Sequence, residues 1–132
     1  MGVKTKEMKV LTIEQMHQLK ELGVDVKPKG TCLMYTSDSS DNYYLKYGES
    51  TCEDDVVAFG LQDIIELLPE TLPHQFLYPT LRINKTSVEY VDYSYFKNVF
   101  IENSEYDEKE DILNAAYNML ILVIENGYLK TK

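Results

Sequence analysis

The chain has 132 residues, 44% of them hydrophobic and 27% charged, which fits one globular domain with a real core and leaves little room for two. Its 13 Lys+Arg stand against 22 Asp+Glu, a formal net charge of -9, which disfavours attraction to phosphate or to an anionic membrane and argues against a DNA-groove binder. The longest apolar run, Met119 to Ile124, falls far short of the roughly 18 to 20 residues that cross a bilayer.

Residues 1–10 read as a flexible N-terminal tail, followed by a single α+β domain over 11–132. No apolar segment or small-residue cleavage site follows Lys4, Lys6, Glu7 and Lys9, so a signal peptide is not expected. Gly2 does not make a myristoylation signal, because Lys6 stands where that pattern wants Ser or Thr. The first helix has a full start signal: Thr12 as N-cap, Gln15 three residues on to complete a capping box, and Leu11 with Met16 as a hydrophobic staple. Ile13, Met16, Leu19 and Leu22 mark its buried stripe, and Gly23 supplies the left-handed residue that ends it.

Cys32 to Tyr35 and Tyr43 to Tyr47 read as strands flanking the turn-forming stretch Ser37 to Asn42, a hairpin. Val56 to Phe59 adds a short third strand that delivers the chain to Gly60. There Leu61, Ile64, Ile65 and Leu68 repeat at helical spacing, with Gly60 as N-cap, until Pro69 stops the helix. Three strand-like runs follow, Phe76 to Ile83, Val88 to Tyr93 and Tyr95 to Ile101, with Asn84 to Ser87 as the turn between the first two.

Asp107 and Glu110 open the last helix, their charge favoured by the dipole at its first turn. Ile112, Leu113, Ala116, Tyr117, Leu120, Ile121 and Ile124 make one face, and Met119, Leu122 and Val123 are apolar as well. A helix apolar on nearly every side is expected to be central and buried, with Leu120 and Ile124 fully enclosed. Gly127 caps it. The element order predicts an α+β fold: an antiparallel sheet of about five to six strands, covered on one face by three helices, with the C-terminal helix central.

Three stretches carry a resemblance: Leu11-Thr12-Ile13-Glu14-Gln15-Met16 through Glu21-Leu22-Gly23, Leu61 through Pro69, and Ala115-Ala116-Tyr117 through Ile124-Glu125-Asn126-Gly127-Tyr128-Leu129-Lys130. They resemble short uncharacterised proteins carried by phages, prophages and conjugative elements of gut Bacteroidetes. The resemblance covers the helices and leaves the strand region, roughly half the chain, unmatched. It implies a shared fold and a mobile-element setting, and no functional residue is carried over from it.

Candidate chemistry is sparse. His17, Cys32, Cys52 and His74 make a Cys2His2 set by count, but no pair has the C-x-x-C or H-x3-5-H spacing of zinc sites. Neither metal nor cofactor is expected, and no catalytic residue is assigned. The cysteines read as small buried thiols, reduced in the absence of a secretion signal. Glycines are scattered singly rather than gathered in a phosphate loop.

The charge layout is more informative. Residues 38–66 hold eight acids against Lys46, and residues 89–111 hold eight against Lys97 and Lys109. The same part of the chain holds most of the 11 tyrosines, a residue favoured in strands and enriched in protein interfaces. Alternation places Tyr43, Leu45 and Tyr47 on one strand face and Tyr44 with Lys46 on the other. The expected interface is therefore Tyr43, Tyr44, Tyr47, Asp54, Asp55, Tyr90, Tyr93, Tyr95, Glu105 and Glu108, offered to a protein partner with a basic surface. This reading makes the chain a non-enzymatic, cytoplasmic accessory protein of a mobile element, with inhibition of a nucleic-acid-binding host protein as a special case. Direct nucleic-acid binding and membrane association are not expected. The alternative is a small enzyme or ligand-binding domain with a noncontiguous polar site, using His17, His74 or a cysteine.

Overall fold

The computed structural model describes residues 9–37, 42–72, 79–84, 87–92, 97–103 and 112–129. In chain order the elements are α1 (Ile13–Glu21), β1 (Cys32–Ser37), β2 (Tyr43–Gly48), β3 (Val56–Val57), α2 (Leu61–Leu67), β4 (Thr80–Ile83), β5 (Ser87–Asp92), β6 (Lys97–Asn103) and α3 (Ile112–Glu125). The fold is α+β, with the strands in two three-stranded antiparallel sheets, β2-β1-β3 and β4-β5-β6. The expected single sheet of five to six strands is thus corrected to two. Each strand pairs with a sequence neighbour or near neighbour, and the two-residue β3 ends the first ladder before the chain enters α2. No helix among the described residues is long and apolar enough to cross a membrane.

Two compact units emerge, one of residues 11–59 and one of residues 60–129 with Lys9 and Val10. In the first unit the α1 start signal forms as its sequence dictates. Gln15 N–H donates to Thr12 Oγ1 at 3.1 Å, and Thr12 N–H donates to Gln15 Oε1 at 2.9 Å, satisfying helix-end donors that otherwise lack partners. Leu11, Met16 and Leu19 are fully buried, while Ile13 and Leu22 are half-buried. Gly23 adopts φ 97° after the last turn, where a side chain would be strained. The β1–β2 hairpin runs in uninterrupted register from Cys32 opposite Gly48 to Ser37 opposite Tyr43.

In the second unit Gly60 caps α2, its N–H donating to Asp63 Oδ2 at 2.8 Å, and the helix ends before Pro69. Helix α3 packs on α2, β5 and β6. Leu113, Ala115, Ala116, Tyr117, Met119, Leu120 and Val123 are its buried residues, and Gly127 closes it at φ 80°. Burial is not all-round. Ile121, Leu122 and Ile124 are half-buried and Asn118 is exposed, so the expectation that Ile124 is fully enclosed is corrected. On strand β5 the buried Glu89 is held by Arg82 Nη2 at 2.8 Å, Ser87 Oγ at 2.7 Å and Asn84 Nδ2 at 3.2 Å, the partners a buried carboxylate requires.

Residues 1–8 of the expected tail, the Asp38 to Asp41 part of the first turn, the early part of the Phe76 to Ile83 run, and the Asp107/Glu110 helix start lie outside the described residues.

Candidate functional site

Of the five large apolar side chains exposed among the described residues, three lie on β2, and the other two, Ile83 and Ile101, lie on β4 and β6. Tyr44, Leu45 and Tyr47 are 53%, 44% and 71% exposed, on the outer strand of the first sheet. The register sets Tyr43, Leu45 and Tyr47 opposite Ser37, Tyr35 and Leu33 on one face, with Tyr44 and Lys46 opposite Thr36 and Met34 on the other. Helix α1 touches the first of these faces. His17 meets the Tyr43 ring edge-on with centroids 5.4 Å apart, and the Tyr35 hydroxyl donates to the Leu11 carbonyl at 2.6 Å. Burial and the nearby negative charge of Glu14 push the Tyr35 phenol above its usual range. His17 is therefore half-buried against an aromatic ring.

Directly after β2 the chain carries an acidic loop in which Glu49, Glu53 and Asp54 are exposed. Asp55 has a different task. It is 4% exposed, and its Oδ2 accepts from Ser50 Oγ at 2.9 Å, Thr51 N–H at 3.1 Å and Cys52 N–H at 3.2 Å. Burial alone would raise its pKa, but the hydroxyls of Thr36 and Ser50 and the two N–H groups outweigh it and hold the carboxyl below its ordinary value. Asp55 thus leaves the expected interface and becomes the tie of the loop. Its neighbour Asp54 is exposed, a distinction that only the placement of donors could make.

Asp55→Ala should destabilise the fold by about 1 to 3 kcal/mol, the range for removing an acceptor that leaves donors unmet. Because the folded pKa lies below the ordinary value, this contribution is present at neutral pH and is lost as pH falls below about 4 through the folded pKa. Thermal melts of variant and wild type should therefore differ at pH 7 and converge in acid. Equal melting at pH 7 would remove the loop-tie role.

The remaining expected interface residues part company. Tyr90 is fully buried, with its hydroxyl donating to the Pro69 carbonyl at 2.6 Å, so it is a core residue and is withdrawn from the surface. Tyr93, Tyr95, Glu105 and Glu108, like His74, lie outside the described residues. Tyr43, Tyr44, Tyr47 and Asp54 share the first unit. The sequence reading missed Leu45 as a surface residue, and no local signal marks it, because apolar side chains on both faces of a strand point to a covered position rather than an outer one.

Lys27, Pro28, Ser50, Cys52, Glu53 and Asp55 line a cleft of about 340 Å³. Cys52 is exposed and Cys32 half-buried, and neither is in a disulfide. The expectation of two buried thiols is corrected for both, since Cys32 is only half-buried on β1 and Cys52 is exposed in the acidic loop. Among the described residues no three His, Cys, Asp or Glu side chains are grouped as metal ligands. No protein-family model, curated protein or solved structure matches this chain.

Proposed function

We propose that this chain is a non-enzymatic protein-binding module, a cytoplasmic accessory protein of a mobile element, that holds a partner with a basic surface through β2 and the acidic loop behind it. The observation that carries this reading is the run of exposed Tyr44, Leu45 and Tyr47 leading straight into exposed Glu49, Glu53 and Asp54. Tyrosine supplies wide contact area with a polar tip, and a cluster of acids speeds encounter with a positive surface. A nucleic-acid-binding host protein has such a surface, so occluding it is the special case of this reading, whereas nucleic acid itself is repelled by a chain of net charge -9. A second reading, a small enzyme or ligand-binding domain, is favoured by the polar cleft at Lys27, Cys52 and Glu53.

Affinity capture from host lysate, followed by kinetics with the captured protein, tests the first reading. The triple variant Glu49→Gln, Glu53→Gln, Asp54→Asn should associate several-fold more slowly than wild type. Salt should slow the wild type towards the variant, since screening shortens the reach of charge to about 10 Å at 0.1 M. Tyr47→Ala should instead hasten dissociation. Capture of nucleic acid, or binding indifferent to these changes, would overturn the reading, and protection of Cys52 from alkylation by a small metabolite would favour the second.

A further inference from the structure

We propose that β2 pairs with β2 of a second copy of this chain, antiparallel and with Leu45 opposite Leu45, joining two three-stranded sheets into one of six strands. Unpaired strand edges are ordinarily blunted by short length, proline, bulges or charge. Three of the four sheet edges are blunted in this way. β3 has two residues, β4 has four, follows Pro79 and is bridged by Thr71 at Thr80, and β6 breaks register opposite Tyr90 and Val91. β2 is the exception. It pairs with β1 over six positions without interruption, contains no proline, and holds one charge, Lys46. Among the described residues, no backbone hydrogen bond outside the β1 ladder involves Tyr43 to Gly48.

The sequence of the strand chooses both the occupant and the register. A two-fold axis normal to a sheet matches residues of the same face, so the pairing must centre on one residue of β2. Centring on Lys46 sets two ammonium groups directly opposite, which is destabilising. Centring on Tyr44 leaves Tyr47 beyond the strand of the other copy. Centring on Leu45 pairs all five residues from 43 to 47: Leu45 with Leu45, Tyr43 with Tyr47 on the same face, and Tyr44 with Lys46 on the other. The last pair brings each ammonium beside an aromatic ring, where a cation is attracted. The exposed area of Tyr47, Leu45 and Tyr44 is then covered by its own kind, and residues 42–48 bring no acid to the contact.

This pairing competes with the basic-partner reading for Tyr44, Leu45 and Tyr47, and the two respond to salt in opposite directions. The net charge of -9 on each copy opposes self-association, so the dimer should tighten as salt rises, whereas a complex with a basic protein should weaken. Sedimentation equilibrium of the full chain should show a weak, reversible dimer that strengthens between about 0.05 and 0.5 M NaCl. Leu45→Lys acts at the axis in both copies and should weaken the dimer by about tenfold or more, with circular dichroism unchanged.

Cross-linking checks the register without relying on that variant. On a Cys32→Ser, Cys52→Ser background, Leu45→Cys should oxidise readily to a covalent dimer, because directly opposed residues lie about 4.5 to 5.5 Å apart at Cα. Lys46→Cys should oxidise far more slowly, since its own copy lies diagonally, at about 7 to 8 Å. A chain monomeric at millimolar concentration, a dimer unmoved by Leu45→Lys, or equal cross-linking at positions 45 and 46 would overturn the proposal.

Discussion

Leu120→Ala should lower the stability of the fold by about 2 to 5 kcal/mol, the range for deleting a packed core leucine together with the cavity it leaves. Leu120 is fully buried on the face of α3 that also buries Leu113, Tyr117 and Val123. The helix packs on α2, β5 and β6, so a cavity left among its buried residues could not easily collapse. In a chain of 132 residues each kcal/mol moves the melting temperature by roughly 3 to 5 °C, and the loss should therefore exceed about 6 °C. Ile124→Ala, one turn on and half-buried, should cost clearly less. Urea unfolding with an unchanged slope would confirm that the loss is one of stability rather than of compactness. A Leu120→Ala melt matching wild type would show that α3 does not carry the core.

Tyr90→Ala should be comparably damaging, about 3 to 5 kcal/mol by analogy with the loss of a buried aromatic ring. Tyr90 is the largest fully buried side chain among the described residues, and it sits at the centre of its sheet, paired with Leu81 on one side and Phe100 on the other. Tyr90→Phe separates ring from hydroxyl: it keeps the packing but leaves the Pro69 carbonyl without its donor, which should cost about 1 to 2 kcal/mol. Alkali offers an independent check. Burial pushes the Tyr90 phenol far above its usual range, so the folded state holds a proton that the unfolded chain releases near pH 10. Stability that is complete below pH 10 should therefore fall as pH rises above it. Tyr35 and Tyr117 are also pushed upward by burial and share this loss, so Tyr90→Phe should shallow the alkaline decline without abolishing it. A decline identical in variant and wild type would mean that Tyr90 is reached by water.

The contrast between two tyrosines shows where reading by composition stops. Tyr47 and Tyr90 both lie in strands of alternating apolar character, and composition places both at an interface. Tyr47 is 71% exposed and Tyr90 is 0% exposed. The difference is one of sheet order: Tyr47 belongs to an outer strand and Tyr90 to the middle strand of its sheet, which α3 packs against. The same holds for Asp54 and Asp55, adjacent acids of which one is exposed and the other is enclosed by donors from residues 50 to 52. Of the site proposed above, Tyr43, Tyr44, Tyr47 and Asp54 were legible from the sequence as candidates. That β2 finds no second strand neighbour among the described residues was not, because it depends on how distant segments pair.

By itself the amino-acid order determined the α+β class, the existence of the described helices and strands, and their punctuation. The Thr12–Gln15 capping box and the glycines at positive φ after α1 and α3 formed as expected. These features rest on contacts within four or five residues along the chain, where backbone geometry and side-chain chemistry act without distant partners. The tertiary structure alone decided that the six described strands divide into two sheets, that Ile121, Leu122 and Ile124 of α3 are only half-buried, and that among the described residues β2 has β1 as its strand neighbour on one edge and none on the other. Strand periodicity states that a segment has two faces and two edges. Which of them is covered is settled by segments tens of residues away, through burial that no local pattern records.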